Sequence, residues 1–454
     1  MTQDERPGPL AGAGPDPRLA EVATGVGPAV VDHDGSDTAG PTGESGAPGD
    51  AGAPRSTSDL VSEVIHRALA SSWMVTVGAI VLALVIGSVL IVIGDPQVQE
   101  TLSYLIQRPS DFFSEAWRAI SESYTALFQG AVYDSTASTA ERRIRPLTET
   151  LTISAPLILA ALGIGLTFRA GLFNIGGQSQ LVLGAVFAAY LGFAFDMPPV
   201  VHVVVVMLGA ALGGAIAGAI PGVLKARFGA HEVITTIMLN NIARYFLLWL
   251  LATSAFVSPT PNVSPNLSET ARLALLLGPE FRLHVGFLLA LVAALVVWWL
   301  MERSVLGFHM RAVGANPEAA RTAGMSVARI TVVALALSGM FCGLAGVMQV
   351  AGTEGKLTAS VYGTIGFDAI TVALLGRSRP LGTVLAGILF GALAAGGRIM
   401  SSRAGTEAEL VTVLQAVIVL LIAAPPLVRT VFRLPEPGKR RARRRTRPAQ
   451  EVAA

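Results

Sequence analysis

The sequence has 454 residues, of which 52% are hydrophobic and only 14% are charged. An average soluble domain carries about 25% charged residues, so this composition and the mean hydropathy of +0.59 exclude an ordinary soluble domain and predict a membrane protein. The formal net charge of +2 excludes no class, because it sums an acidic N-terminus with a basic C-terminus. The one cysteine, Cys342, excludes a disulfide framework within the chain and a multi-cysteine metal site.

The first 58 residues are rich in Gly, Pro, Ala, Asp and Ser and have almost no periodic apolar positions. Because such a segment buries too little apolar surface to offset the entropy lost on ordering, we expect residues 1–58 to form a disordered cytoplasmic tail. We expect residues 59–145 to contain the first transmembrane helix and an outer amphipathic segment. Residues 146–433 would then form the main transmembrane domain, and residues 434–454 a basic cytoplasmic tail.

A helix that crosses a membrane needs about 20 mostly apolar residues, and nine runs in the sequence fit this length. A tenth run, 363–376, is too short for a simple span and predicts a tilted, broken or re-entrant helix. The sequence therefore predicts an all-α, polytopic membrane protein with about ten transmembrane helices, including this short or re-entrant segment. The nine longer runs are 73–94, 149–168, 172–195, 198–220, 235–257, 283–301, 328–350, 381–399 and 408–428.

The distribution of Lys and Arg predicts the orientation of these helices. With both termini in the cytoplasm, nine basic residues lie in short inner loops and five in short outer loops, in agreement with the positive-inside rule. Arg142, Arg143 and Arg145 disagree, but they lie in a long outer segment, where charges have less influence on topology. We expect a multi-pass protein of the bacterial plasma (inner) membrane with both termini cytoplasmic.

The outer segment contains apolar residues at helical spacing, which predicts an amphipathic helix on the outer face. We expect a packing role for these side chains, with contact to a ligand as the alternative. The residues concerned are Phe112, Phe113, Ala116, Trp117, Ile120 and Tyr124.

Polar residues lie in or beside two of the predicted spans. Asn174, Gln178 and Gln180 are costly in hydrocarbon unless they are hydrogen bonded, and neighbouring glycines permit a break in the helix. These amides either bind a hydroxyl-rich solute or only hydrogen-bond between helices, and the residues leave both alternatives open. Thr236 and Asn240 are four residues apart and share one helical face, which must point toward protein or a water-filled path.

The segment 302–327 has the residues of a short capped helix between two spans. Asn316 is suited to the cap position, Pro317 to the first helical position and Glu318 to the first turn, while Gly324 is suited to the end. Such a helix on the inner face has the form of a docking element, and an ordinary amphipathic loop is the alternative.

The short run 363–376 contains Asp368, the plainest acidic residue within an apolar segment. Its length and its glycine boundaries predict a discontinuous helix near a transport path. The alternative is that Asp368 only caps this helix or pairs with an arginine.

Several functional classes lack their characteristic residues in this sequence. There is no Gly-x-x-x-x-Gly-Lys-Ser/Thr phosphate loop, no His-Glu-x-x-His metal motif and no Gly-x-Ser-x-Gly nucleophile motif. These absences predict that the chain is not an enzyme and has no ATPase site of its own. The spans also lack the rows of ionisable residues that are expected of a proton-coupled or ion-coupled transporter.

Four of these stretches, 168–176, 232–240, 313–320 and 366–376, together resemble the permease subunits of bacterial ATP-binding-cassette importers. The branch is the one that serves nucleosides, ribose-type sugars and branched-chain amino acids, and the motifs are most similar to the nucleoside subgroup. The resemblance covers residues 146 to 428. The family often has an acidic residue followed by glycine where this chain has Gln178 and Ser179, so an amide here replaces a charge.

The resemblance implies a permease subunit that translocates a nucleoside or related sugar by alternating access. Separate ATPase subunits would bind ATP and Mg, so this chain itself would bind no cofactor and no metal. A second permease chain, identical or homologous, and an extracellular substrate-binding lipoprotein are the other protein partners implied, with membrane lipid around the helices and no nucleic acid. The alternative function is an ion-coupled secondary transporter of a small polar solute.

The resemblance also assigns residues to two sites. Those expected to line the substrate path are Phe173, Asn174, Gln178, Gln180, Thr236, Asn240, Phe367 and Asp368. Those expected to couple the chain to the ATPase are Gly314, Ala315, Asn316, Pro317, Glu318, Ala319, Ala320 and Gly324.

Overall fold

The computed structural model describes residues 72–256, 258–406 and 408–431. The two predicted tails, 1–58 and 434–454, lie outside the described residues. Within the described ranges all extended regular structure is helical. The helices are α1 Ser72–Gly94, α2 Pro96–Leu102, α3 Pro109–Ala131, α4 Ala140–Arg169, α5 Gly177–Ala194, α6 Pro199–Phe228, α7 Glu232–Leu251, α8 Gly286–Arg303, α9 Val305–Ala315, α10 Pro317–Thr322, α11 Val327–Val347, α12 Ile365–Leu375, α13 Pro380–Ala404, α14 Ala408–Ala423 and α15 Pro425–Val431.

Among the described residues, eight helices are long and apolar enough to cross a membrane: α1, α4, α5, α6, α7, α8, α13, and α11 with its π-helical extension Met348–Glu354. The predicted all-α, polytopic architecture is thereby confirmed. The predicted run 408–428 is instead two helices, α14 and α15. Pro425 explains the division, because proline lacks an N–H and disfavours helical geometry in the residue before it.

Helix α4 occupies the centre of the packed bundle. Every residue from Ser154 to Thr167 is buried, and α4 contacts α8, α11, α12 and α13. Helix α11 packs most extensively on α6, where Gly214 and Gly343 bring the two backbones so close that a side-chain carbon at either position would overlap the other helix. This close approach explains the abundance of glycine, because small residues allow helices in lipid to pack through their backbones.

The predicted outer helix is α3, and four of its six predicted apolar residues are buried or half-buried. Ala116, Ala119 and Ser123 are buried, whereas Phe113 and Trp117 are 69% and 71% exposed. The helix is therefore as predicted, and the packing role is wrong for these two aromatic side chains within this chain. Small residues form the packed face because α3 lies directly against α13.

The chain from Gly355 to Ser378 crosses the bundle, and the short predicted segment 363–376 is the part of this crossing that contains α12. We call the end of the bundle that carries α9 and α10 the α10 end, and the other the opposite end. Gly355 O accepts a hydrogen bond from Leu267 N at the opposite end, while Ser378, just after α12, lies beside Gly165 near the last turn of α4 at the α10 end. Between these points the chain is irregular apart from the short 3₁₀ helix Ala359–Val361, and it is α-helical only in α12.

Candidate functional site

The chain breaks between α4 and α5, and one buried asparagine organises the break. Gly171 has a φ of +72°, which glycine adopts without strain. Asn174 is fully buried; its Oδ1 accepts from Gly176 N at 2.9 Å and from Gln180 Nε2 at 3.2 Å. Its Nδ2 donates to Gln180 Oε1 at 3.0 Å and to Ser338 Oγ of α11 at 2.9 Å. The whole hydrogen-bonding capacity of the Asn174 amide is therefore used within the chain.

Two further buried amides fasten the break to α7 and to the segment before α12. Asn240 of α7 accepts from Ser179 N and donates to Ile175 O, both at 2.9 Å. Gln178 donates to Val361 O at 3.1 Å and accepts from Gly366 N at 2.9 Å. We call Asn174, Gln178, Gln180, Asn240 and Ser338 the amide network.

The sequence left open whether these amides bind a solute or only form hydrogen bonds between helices. In this structure the amide network forms the hydrogen bonds between helices. Thr236, also predicted near the path, is fully buried and bonds within its own helix to Glu232 O at 2.7 Å. Contact of a solute with the predicted residues stays a prediction for Asn174, Gln178, Gln180, Thr236 and Asn240. In the conformation described here their polar atoms hold four elements together, and buried polar groups of this kind are costly to unpair.

The remaining predicted path residues are accessible. Phe173 is 41% and Phe367 44% exposed, and Asp368 accepts a hydrogen bond from Thr364 Oγ1 at 2.8 Å. Asp368 and Thr364 open onto a crevice of about 390 Å³ between α4, α12, α13 and α14, which Arg398 and other side chains also line. Asp368 thus lies in the first turn of α12 and also faces open space.

Helix α7 presents a polar surface that the sequence interpretation missed. Asn241 and Arg244 are exposed in the interior of this span, and the Arg244 guanidinium lies 5.7 Å from the ring centre of Tyr362, in the segment before α12. An arginine within a span is costly against lipid tails, so this face requires protein or water beside it. The position of Arg244 inside the predicted run 235–257 was the available clue.

The predicted capped helix is α10, with the predicted cap. Asn316 Oδ1 accepts from Glu318 N and Ala319 N, each at 3.0 Å, and Pro317 occupies the first position. Of the eight predicted coupling residues, Gly314 is half-buried, Ala320 is buried and the other six are exposed. Contact of these residues with an ATPase stays a prediction.

Gly314 links the α10 region to the helix break. A Cβ on Gly314 would overlap the Arg169 carbonyl oxygen and would lie only 2.8 Å from Ala170 C and 2.9 Å from Gly171 N. The end of α9 therefore rests directly on the backbone where α4 stops. This contact connects the exposed helix α10, through the backbone of residues 169–171, to the chain break that the amide network holds.

Comparison with known proteins identifies the family. Residues 147–423 match the family described as the permease component of the branched-chain amino acid transport system. The chain belongs to this permease family. It is a membrane-spanning permease subunit of an ABC transporter, and the ion-coupled alternative is set aside.

Three relatives indicate the range of transported solutes in the family. A guanosine ABC transporter permease of Bacillus subtilis is 37% identical over 289 residues, which cover 63% of this chain and 82% of the relative. A nucleoside ABC transporter permease of Lactococcus lactis is 31% identical, with coverage of 63% and 82%. A glucose ABC transporter permease of Haloferax volcanii is 36% identical, with coverage of 61% and 75%.

Proposed function

We propose that this permease family member imports a nucleoside, or a related sugar, through a path between the exposed face of α7 and the segment that leads into α12. The observation that carries the proposal is the polar side of α7, where the exposed Arg244 guanidinium lies 5.7 Å from the ring centre of Tyr362 and the exposed Asn241 lies one turn before it. It combines amide and guanidinium donors with aromatic rings. A nucleoside matches this chemistry, since its base stacks on rings and its ribose hydroxyls accept and donate hydrogen bonds. The relatives named for guanosine and for nucleosides support the same substrate class.

The irregular chain before α12 supports the position of this path. Backbone without a regular hydrogen-bond ladder is tolerated at membrane depth only where protein buries it or where it lines a water-filled cavity. Ser360 and Thr364 are exposed in this segment. A second permease chain, identical or homologous, would cover the open side of α7 and complete the path.

Coupling to ATP hydrolysis is proposed to run through α10. ATPase subunits, which would hold ATP and Mg, would dock on the exposed residues Ala315–Ala319. Their closure would push α9 through Gly314 against the end of α4 and thereby shift the amide network. Because the network joins α5, α7, α11 and the start of α12, a small displacement there would act on both walls of the path.

In this proposal the α10 end faces the cytoplasm of a bacterium, and the plasma membrane surrounds the bundle. An extracellular substrate-binding lipoprotein would deliver the solute at the opposite end. The chain itself would carry no ATPase activity and bind no cofactor. The excess of Lys and Arg in the loops of the α10 end supports this orientation.

The proposal is tested by uptake of labelled guanosine, uridine, ribose, glucose and leucine in cells that lack this chain. We expect nucleoside uptake to be lost and to return with the wild-type chain. Asn241→Leu, which removes the amide at nearly constant volume, should lower nucleoside uptake by roughly 5- to 10-fold, the effect of about one hydrogen bond.

The matched control is Ile242→Leu at the adjacent exposed position, which should transport normally. Unchanged nucleoside uptake together with reduced ribose, glucose or leucine uptake would place the chain with a different solute. Uptake that survives ATP depletion but stops when the proton gradient collapses would contradict the ATPase coupling. Equal uptake by Asn241→Leu and the wild type would remove α7 from the path.

A further inference from the structure

A large cavity at the opposite end of the bundle has no part in the proposed transport path. Its volume is about 890 Å³, within the range of about 300–1,000 Å³ that is usual for ligand pockets. Its walls are the first two turns of α6, the start of α8, the loop before α8 and the π-helical extension Met348–Glu354. Gly355, at the opposite end, also lines it. The cavity therefore lies where these helices leave the membrane.

The side of the cavity that belongs to the membrane spans is apolar and open to lipid. On α6 it is lined by Val200 and Val204, which are 78% and 48% exposed. At the start of α8 it is lined by Val285 and Leu289. Val292 lies on the same side of α8, because residues three and four apart share a helical face, and it is also exposed. An acyl chain in the cavity can therefore continue along α8 into the hydrocarbon layer.

The loop side of the cavity carries two arginines with donors to spare. Arg272 Nη1 lies 3.3 Å from Glu269 Oε1, and Arg282 Nη1 lies 3.5 Å from Glu149 Oε2. Both arginine side chains line the cavity and are about two-fifths exposed. A guanidinium has five N–H donors in a planar fork that matches phosphate oxygens. Each arginine can therefore bind a phosphate in addition to its carboxylate.

The charges that line the cavity balance. Arg272 and Arg282 are matched by Glu269 and Glu354, and Glu354 is exposed and has no ion-pair partner within the described ranges. A headgroup with one negative and one positive group therefore matches this surface better than a headgroup with a net negative charge. A primary ammonium also donates hydrogen bonds to a carboxylate, which the quaternary ammonium of choline does not.

The loop that carries Arg272 is held in place and faces lipid. The Arg272 guanidinium lies on the backbone of Gly355, where an added Cβ would be 3.0 Å from Arg272 Nη2. Farther along the loop, Leu275, Leu276 and Leu277 are 44%, 36% and 51% exposed. Consecutive exposed leucines beside the ends of two membrane spans indicate contact with a membrane or a partner rather than with water alone.

We propose that this cavity binds phosphatidylethanolamine from the leaflet at the opposite end. The lipid phosphate would lie on Arg272 and Arg282 and its ammonium on Glu354, while one acyl chain would pass Val204 and Leu289 along α8. The bound lipid would stabilise the loop before α8 against the π-helical extension. A surface of the substrate-binding lipoprotein is the less favoured occupant, because the apolar wall belongs to helices that cross the membrane.

Binding is tested with purified full-length chain in detergent and phosphatidylethanolamine that carries a fluorescent label on an acyl chain, followed by fluorescence anisotropy. Phosphatidylcholine and phosphatidylglycerol with the same label should bind more weakly. Val204→Trp fills the acyl part of the cavity and should weaken phosphatidylethanolamine binding by roughly 10-fold, because overpacking displaces the chain. The matched control is Val201→Trp on the same helix, which is 51% exposed and lies outside the cavity lining; it should bind as the wild type does.

Two further variants test the headgroup contacts. Arg272→Gln should weaken phosphatidylethanolamine binding by roughly 10-fold, because a charge-assisted hydrogen bond to the phosphate is lost. Arg142→Gln, at the exposed start of α4 at the same end, is its control and should bind normally. Glu354→Gln should remove the preference for phosphatidylethanolamine over phosphatidylcholine.

Folding of each variant is monitored by the reaction of Cys342 with a thiol dye, because this buried cysteine becomes accessible when the chain unfolds. If Val204→Trp does not fold, the exposed Arg272→Gln provides the test.

Four results would overturn the proposal. Folded Val204→Trp, or Arg272→Gln in its place, would bind phosphatidylethanolamine as the wild type does; if such a variant also lost uptake, the cavity would belong to the lipoprotein interface. Val201→Trp would lose as much affinity as Val204→Trp, which would indicate general contact with lipid. Phosphatidylcholine or phosphatidylglycerol would bind the wild type as tightly as phosphatidylethanolamine does. Soluble phosphoethanolamine would compete at the concentrations at which the lipid binds, which would indicate a soluble ligand.

Discussion

Replacing Gly314 with alanine tests the proposed mechanical link between α10 and the amide network. The added Cβ would overlap the Arg169 carbonyl oxygen and would approach Ala170 C and Gly171 N at 2.8 and 2.9 Å, against about 3.4 Å for an ordinary van der Waals contact. Helix α9 must therefore retreat by more than about 0.6 Å. Overpacking of this kind costs about 1–3 kcal/mol, and the better helix propensity of alanine returns about 1 kcal/mol. We expect a net loss of about 1 kcal/mol in the free energy of unfolding.

The larger effect is expected in transport, because the substitution displaces the contact through which α10 would act. Nucleoside uptake per molecule at the membrane should fall at least 5-fold in Gly314→Ala, while the midpoint of thermal unfolding, measured by dye access to Cys342, falls by only a few degrees. Gly165→Ala is the control in the same region, since its Cβ would meet its nearest neighbour at an ordinary 3.5 Å. Normal uptake in Gly314→Ala would refute the link, and so would an equal loss in Gly165→Ala.

Three further predictions concern stability. Asn174→Ala should lower the free energy of unfolding by roughly 2–4 kcal/mol, measured by chemical denaturation, because several buried partners lose their hydrogen bonds. Asp134 binds Arg403 at 2.6 Å, and this contact holds the pKa of the Asp134 carboxyl below its usual range. The pair therefore stabilises the fold at neutral pH, where Asp134→Asn should lower the free energy of unfolding by about 1 kcal/mol. The effect of the substitution should become progressively smaller as the pH falls below about 4. Burial and the nearby Arg282 lower the pKa of His284 to about 4, so the thermal midpoint should fall between pH 6.5 and 4 as the unfolded chain gains a proton that the folded chain excludes.

Each of these predictions has its own control. Ala substitution at the exposed Asn241 should leave the free energy of unfolding nearly unchanged, and a loss as large as that of Asn174→Ala would show that burial is not the reason. For Asp134, equal pH profiles of the wild type and Asp134→Asn would contradict a stabilising pair. His284→Asn keeps an acceptor for Gly286 N, which His284 Nδ1 binds at 3.1 Å, and should flatten this part of the pH profile; an unchanged slope would assign it to other groups.

The features predicted well from the sequence are those whose causes are local. The cap of α10 depends on Asn316 and the N–H groups two and three residues later, so spacing alone identified it. The break after α4 was also predictable, because its glycines and amides are adjacent in the chain. The partner of Asn174 was not, since Ser338 is 164 residues away and only the packing of α11 against the break brings it there.

The errors have a physical cause as well. The aromatic spacing of α3 predicted its helix but did not show that Phe113 and Trp117 stay exposed within this chain, because only small side chains allow α3 to approach α13 closely. The small face of Ala116 and Ala119 packs closely on α13 instead. Arg244 was overlooked because it lies in an otherwise apolar run, where one charge hardly changes the average hydropathy.

The irregular chain ahead of α12 has a consequence for how this crossing moves. Helix α12 has 11 residues and is about 16 Å long, roughly half of a hydrocarbon layer of about 30 Å. The rest of the crossing has no regular structure of its own beyond the 3₁₀ helix Ala359–Val361, so its shape depends on the side chains that hold it. Gln178 is one such holder, with one end of its amide on Val361 and the other on Gly366. A continuous helix would move as a rigid unit when its neighbours move, whereas the chain ahead of α12 changes shape when the Gln178 side chain moves.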